Sequence, residues 1–179
     1  MHVLVIYESM FGNTRLIAEQ IATGFALVAD VCVLPIQGAT PDLVRTADLV
    51  VVGAPTHAHT LSTAQSRQGA RDIASRSGGS LHLDPDSESL GVRDWFRTCP
   101  DGHGRLAAAF DTRYDASPVL TGRASRGIAR RIHDRGYRMV TEPESFLVTH
   151  ANVIASGEEL RAFGWGIELS EMVSLLTAH

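Results

Sequence analysis

The sequence contains no lysine: all 16 of its Lys-plus-Arg residues are arginine. A Walker A loop needs its lysine on the phosphates, so P-loop nucleotide chemistry is excluded. Schiff-base and covalent pyridoxal phosphate catalysis need the same amine and are excluded with it. Cysteine is scarce too. Cys32 and Cys99 are the only two, too few for a disulfide framework. No apolar run approaches the roughly 20 residues of a membrane-spanning helix. The opening MHVLVIY has neither a basic segment nor a cleavage site, which reads as a cytoplasmic chain with no signal peptide and no membrane insertion. A net charge of −4 without a basic stripe argues against nucleic acid as a partner.

What is present suits a packed core. The chain has 179 residues, 44% of them hydrophobic, and reads as a single domain over 1–179. Apolar runs lie at 3–7, 31–36, 49–53, 106–110 and 137–148, the last broken by Pro143. Most are nearly continuous, as strands buried on both faces are. Between them lie helical patterns. Residues 15–27 put Ile17, Ile21 and Phe25 on one stripe, and 123–135 place Ile128 and Ile132 four apart before a stop at Gly136. A last helix opens on a capping box, Ser156 with Glu159, and runs through Leu160, Phe163 and Ile167 towards Val173 and Leu176. Strands alternating with helices imply a parallel sheet covered on both sides. Residues 77–88 read as a loop or insertion, with a short helix at Asp94, Trp95 and Phe96 after it.

The first strand-to-helix turn spans 8–13 and carries Ser9, Gly12 and Asn13, with Thr14 opening the helix. In doubly wound sheets ligands bind at the carboxyl ends of the strands. A helix N-terminus there offers free N–H groups and partial positive charge, which suits a phosphate. Asn and Thr also cap helices with no ligand at all, and the dinucleotide spacing G-x-G-x-x-G is absent.

The segment SMFGNT at 9–14 resembles the phosphate loop of flavodoxins and flavodoxin-like FMN proteins. Two more loops are similar. GAPT, with Gly53, Pro55 and Thr56, matches the segment beside the flavin ring, and AFDTRYDAS at 109–117 occupies the second ring-lining position. The resemblance implies a flavodoxin-like three-layer α/β sandwich, with a five-stranded parallel sheet in order 2-1-3-4-5 and helices on both faces. It implies non-covalent FMN, its phosphate held by Ser9, Met10, Phe11, Gly12, Asn13 and Thr14, the side chains of Ser9, Asn13 and Thr14 included. Pro55, Thr56, His57 and Ala58 would line one side of the ring, and Phe110, Asp111, Thr112, Arg113 and Tyr114 the other, with Tyr114 the stacking residue. The implied function is electron transfer with a redox partner protein or a small-molecule oxidant or reductant. An FMN-dependent NAD(P)H:quinone-type reductase, a protoporphyrinogen oxidase-like enzyme and a flavin-free binding scaffold are the alternatives.

The chain departs from the family pattern in two places. Short-chain flavodoxins often carry a glycine beside the flavin N5, where a peptide flip stabilises the one-electron-reduced form. Here the stretch is His57-Ala58-His59, and a positive φ at Ala58 is disfavoured, so that stabilisation should be poor. The segment 59–104 is also long for a plain carrier, with room to lid the flavin, bind a substrate or pair two copies as a homodimer. The histidines His57, His59, His82 and His103, with Cys99, lack the spacing of a metal site. Residues 99–105 fit the cysteine-phosphatase pattern C-x5-R. They do not sit between a strand and a helix, as that chemistry requires.

Overall fold

The computed structural model describes the whole chain except Ala58, Ser80, Glu88, Ser89 and His179. Its elements are β1 (His2–Tyr7), α1 (Asn13–Phe25), β2 (Asp30–Pro35), a 3-10 turn (Ile36–Gly38), α2 (Pro41–Thr46), β3 (Leu49–Pro55), α3 (Ala64–Arg76), α4 (Val92–Trp95), β4 (Leu106–Tyr114), α5 (Pro118–Thr121), α6 (Ala124–Asp134), β5 (Arg138–Met139), β6 (Glu144–Val148) and α7 (Glu158–Thr177). No described helix is long and apolar enough to cross a membrane.

The strands pair in parallel in the order β2-β1-β3-β4-β5, with β6 also on β4. The expected 2-1-3-4-5 order therefore holds, but two short strands share its fifth position. β5 pairs Leu106 and Ala107, and β6 pairs residues from Phe110 to Tyr114. The single run expected over 137–148 is broken because Pro143 has no N–H to give to a ladder.

Period-two alternation divides the sheet's side chains between two cores. On one face Leu4, Ile6, Val50, Val52, Ala107 and Ala109 pack with Val44, Trp95, Phe96, Ile128 and Ile132. On the other, Val3, Val5, Val51, Ala108 and Phe110 pack with Ile17, Ile21 and Phe25 of α1 and Trp165, Leu169 and Val173 of α7. The result is three layers. The α1–α7 contact is close because glycines meet there. A Cβ on Gly166 would lie 2.2 Å from the Ile21 carbonyl oxygen, and one on Gly24 would lie 2.3 Å from that of Phe163.

The ends of two elements differ from expectation. Helix α7 opens at Gly157, whose φ is 85°, with no side-chain cap, rather than at a Ser156 capping box. Glu158 replaces that box, its Oε2 accepting the Leu147 N–H at 2.7 Å and so tying the helix to β6. Within 59–104 the chain forms the 13-residue α3, opened by a reciprocal capping box between Thr63 and Ser66. Only Arg67 and Ala70 of α3 are buried, so it carries no apolar stripe to read. The sheet beneath is covered instead by Trp95 and Phe96, packed edge-to-face at 5.0 Å.

Candidate functional site

The loops at the carboxyl ends of β1, β3, β4 and β6 enclose a cavity of about 710 Å³, roofed by Ser66, Gly69, Ala70 and Ile73 of α3 and by Leu81. This lies within the roughly 300–1,000 Å³ of small-molecule sites.

One end of the cavity is the turn between β1 and α1. Gly12 is the N-cap of α1 with φ 89°, and no side chain caps the helix. The Gly12 N–H donates to Ser9 Oγ at 3.0 Å. Among the described residues the N–H groups of Met10, Phe11, Asn13 and Thr14 find no acceptor. Open N–H groups curled around a left-handed residue form an anion-binding concavity, and the helix dipole adds to it. Nothing within 4 Å of a Gly12 Cβ is backbone; the nearest atoms would be Asp84 Oδ2 at 3.8 Å and Arg15 Nη2 at 3.9 Å. Glycine is present for its φ, not for lack of room.

The side chains of this turn are spent differently from expectation. Asn13 Nδ2 donates to the carbonyl oxygen and Oδ1 of Asn152, at 3.2 and 3.1 Å. Thr14 Oγ1 shares a 2.8 Å hydrogen bond with Thr112 Oγ1. Both residues line the cavity, but they tie neighbouring loops to the turn. The open donors are mostly backbone.

Pro55, Thr56 and His57 form the wall after β3, and Thr112, Arg113 and Tyr114 the wall after β4. Thr56 Oγ1 accepts the Ala124 N–H at 2.9 Å, at the start of α6. Burial, and then the Arg67 charge, push the His57 imidazole below its ordinary pKa, so it is neutral at pH 7. Ala58 lies outside the described residues, and with it the expectation about its φ. Next to it, His59 takes a φ of 71°. Tyr114 stacks one face on His150, with ring centroids 5.2 Å apart and an angle of 22°.

Phe110 and Asp111 do not line the cavity, contrary to expectation. β4 is longer than its apolar run, so both still lie inside the sheet, paired with Gly53 and Ala54. The Phe110 ring lies in the core against Phe146 and Trp165. It crosses β3 where a Gly53 Cβ would sit 2.0 Å from it. Gly53 thus makes room for a core ring, which is a packing role. Asp111 Oδ2 accepts the Ser125 N–H at 2.7 Å and caps α6 from below. Burial raises its pKa.

Sequence reasoning missed the loop after β6, where Val148, His150, Ala151 and Asn152 line the cavity, and the α3 roof. The position of the β6 loop was deducible, since it too leaves the carboxyl end of a strand. The roof is held by polar anchors that have no periodicity. Buried Glu8 accepts hydrogen bonds from the Ser62 hydroxyl and from the Val92 N–H, the latter at 2.8 Å. Arg67 Nη1 donates to Ser62 Oγ and its Nη2 to Asp94, both at 3.0 Å. The Asp84 N–H donates to the Met10 carbonyl at 2.8 Å, and Asp84 Oδ2 accepts from Arg15 Nε at 3.0 Å. Burial pushes Glu8 above the ordinary carboxylate pKa.

The C-x5-R segment lies at the far end of the sheet, before β4 begins. Burial raises the Cys99 thiol to about 11. Arg105 is committed to the carbonyls of Gly102, Arg45 and Asp101. A phosphatase loop needs a low-pKa thiolate and a free guanidinium, and this segment has neither.

No protein-family model and no curated protein matches the sequence. Solved structures do. A flavodoxin from the Archaea matches with a TM-score of 0.64 at 19% identity, over 97% of this chain and 99% of that one. Oxidised flavodoxin 1 from Bacillus cereus matches with a TM-score of 0.66 at 20% identity, over 96% and 98%. Rubredoxin oxygen:oxidoreductase from Desulfovibrio gigas matches with a TM-score of 0.61 at 15% identity, over 99% of this chain but 37% of that one. In sheet order, layers and length the chain has the flavodoxin-like fold.

Proposed function

We propose that this chain binds FMN non-covalently and works as a redox protein through it. The observation that carries the reading is the set of open N–H groups at Met10, Phe11, Asn13 and Thr14 around the left-handed Gly12, at the mouth of a cavity of about 710 Å³. These N–H groups and the Ser9 hydroxyl would hold the phosphate. Pro55, Thr56 and His57 on one side, and Thr112, Arg113 and Tyr114 on the other, would hold the ring. The bound flavin supplies the electron chemistry; the protein supplies position, exclusion of water and the charge around the ring. The flavodoxin-like fold supports the same reading.

Electrons would pass to or from a redox partner protein or a small-molecule oxidant or reductant. The test is titration of the purified chain with FMN and with riboflavin, followed by quenching of flavin fluorescence. FMN should bind at least tenfold more tightly than riboflavin, since the phosphate would meet several charge-assisted hydrogen bonds of roughly 1.5–3 kcal/mol each. A chain that binds neither is a flavin-free scaffold.

A further inference from the structure

The charge around the cavity is unusual for an acidic protein. The chain carries 20 Asp and Glu residues, yet none of the described residues lining the cavity is one of them. Arg113 is the single arginine there, beside the imidazoles of His57 and His150, and burial keeps His57 neutral. Among the described residues the only fixed charge on the cavity wall is therefore positive.

Arg113 is placed for the ring and not for the phosphate. It lies on β4, which β3 separates from β1. Its neighbour Thr112 faces the turn, through Thr14 Oγ1, and successive side chains of a strand point to opposite faces, so Arg113 is directed away from that contact. Its Nη1 donates to the carbonyls of Tyr114 and Ala116 at 3.1 and 2.6 Å, and to Thr121 Oγ1 at 3.4 Å. These bonds draw the guanidinium towards the loop after β4, away from α1. Nε is buried without an acceptor among the described residues. No described carboxylate forms an ion pair with Arg113. Glu158, the acid whose field it shares, is spent on Arg161 and the Leu147 N–H.

We propose that Arg113 makes this cavity selective for the reduced flavin anion, so that the chain holds two-electron-reduced FMN more tightly than oxidised FMN. The proposal rests on the FMN reading above. The couple is FMN + 2e⁻ + H⁺ → FMNH⁻; the product carries one more negative charge on the ring than the oxidised form. A fixed cation in a wall whose described residues include no carboxylate favours the more negative form. The site then behaves as a two-electron acceptor at raised potential, not as a low-potential carrier.

The experiment is a potentiometric titration of the FMN-loaded chain with dithionite and a reference dye, beside free FMN. The expected midpoint lies at least about 30 mV above that of free FMN, which is tenfold tighter binding of the reduced form for a two-electron couple. Arg113→Gln should lose most of that shift and Arg113→Lys should keep it, with riboflavin in place of FMN giving the same pattern. A wild-type midpoint at or below that of free FMN overturns the proposal, whatever the variants do. So does an Arg113→Gln variant that loses FMN affinity equally in both redox states while binding riboflavin normally, for that is a phosphate ligand. A chain that binds no flavin overturns the FMN reading itself, a result distinct from both.

Discussion

The conformation of Gly12 gives the most direct test of the phosphate turn. A Cβ there would meet only Asp84 Oδ2 at 3.8 Å and Arg15 Nη2 at 3.9 Å, which are ordinary contacts. Substitution therefore acts through φ 89° alone. An L residue in the left-handed region costs about 1–2 kcal/mol. Without ligand the turn of a Gly12→Ala variant relaxes and escapes that cost. A bound phosphate needs the N–H groups of Met10, Phe11, Asn13 and Thr14 back in one concavity, and the cost then appears in the affinity. One to two kcal/mol is about a 5–30-fold loss for FMN. Riboflavin lacks the phosphate and should lose nothing. Asn visits the left-handed region more readily than other side chains and should fall between Gly and Ala, while β-branched Val should be worst. The assay is fluorescence quenching with both flavins on all four proteins. A Gly12→Val protein with the wild-type ratio of FMN to riboflavin affinity would refute the reasoning, since the phosphate would then not depend on the turn.

Asn13→Ala should weaken FMN and riboflavin together, by roughly 2–10-fold, because its amide anchors Asn152; a loss confined to FMN in the same titrations would mean that the side chain holds the phosphate after all. Gly166→Ala should lower the urea midpoint by the equivalent of about 1–3 kcal/mol, since the new methyl would sit 2.2 Å from the Ile21 carbonyl oxygen. Gly164→Ala, with nothing within 4 Å, should be neutral or stabilising by up to about 1 kcal/mol, and equal effects would deny the close α1–α7 approach. Burial raises the Glu8 carboxyl above 4.5, so its contribution to stability is full below about pH 4.5 and is lost as the pH rises through the folded-state value. The denaturation midpoint of wild type should accordingly fall relative to Glu8→Gln between about pH 4 and pH 7, and a constant difference across that window would show that Glu8 titrates as it does in the unfolded chain.

The sheet was legible because β1, β3 and most of β4 are buried on both faces and read as continuous apolar runs. The same signal misled at the end of β4. The apolar run stops at Phe110, yet the strand goes on to Tyr114, because a polar residue there has work inside the fold. Asp111 enters the sheet to cap α6, and no periodicity announces a buried carboxylate whose partner is a backbone N–H. The turn between β1 and α1 was legible as a turn with a glycine in it, but the partners of its side chains were not. Loop composition says that Asn13 and Thr14 can donate. It does not say that Asn152 and Thr112, far along the chain, lie close enough to take those bonds. The β6 loop was missed for a related reason, since a fifth strand read as one run over 137–148 hides where the second half of that strand delivers its loop.

The 59–104 segment was read as long for a carrier, with a loop or insertion at 77–88 and a short helix at Asp94, Trp95 and Phe96, and its structure gives that length a physical meaning. Helix α3 buries only Arg67 and Ala70, so apolar packing does little to hold it in place. Its polar anchors converge on the first strand-to-helix turn. Glu8 receives Ser62 and Val92, the Met10 carbonyl receives the Asp84 N–H, and Arg15 pairs with Asp84. The turn that presents the open N–H groups and the roof that covers the cavity are therefore fastened to each other. A change that loosens the roof would therefore reach the turn through Glu8, Met10 and Arg15. The two ends of the cavity are thus joined by hydrogen bonds between polar groups, which is why neither hydropathy nor periodicity in the sequence could reveal the connection.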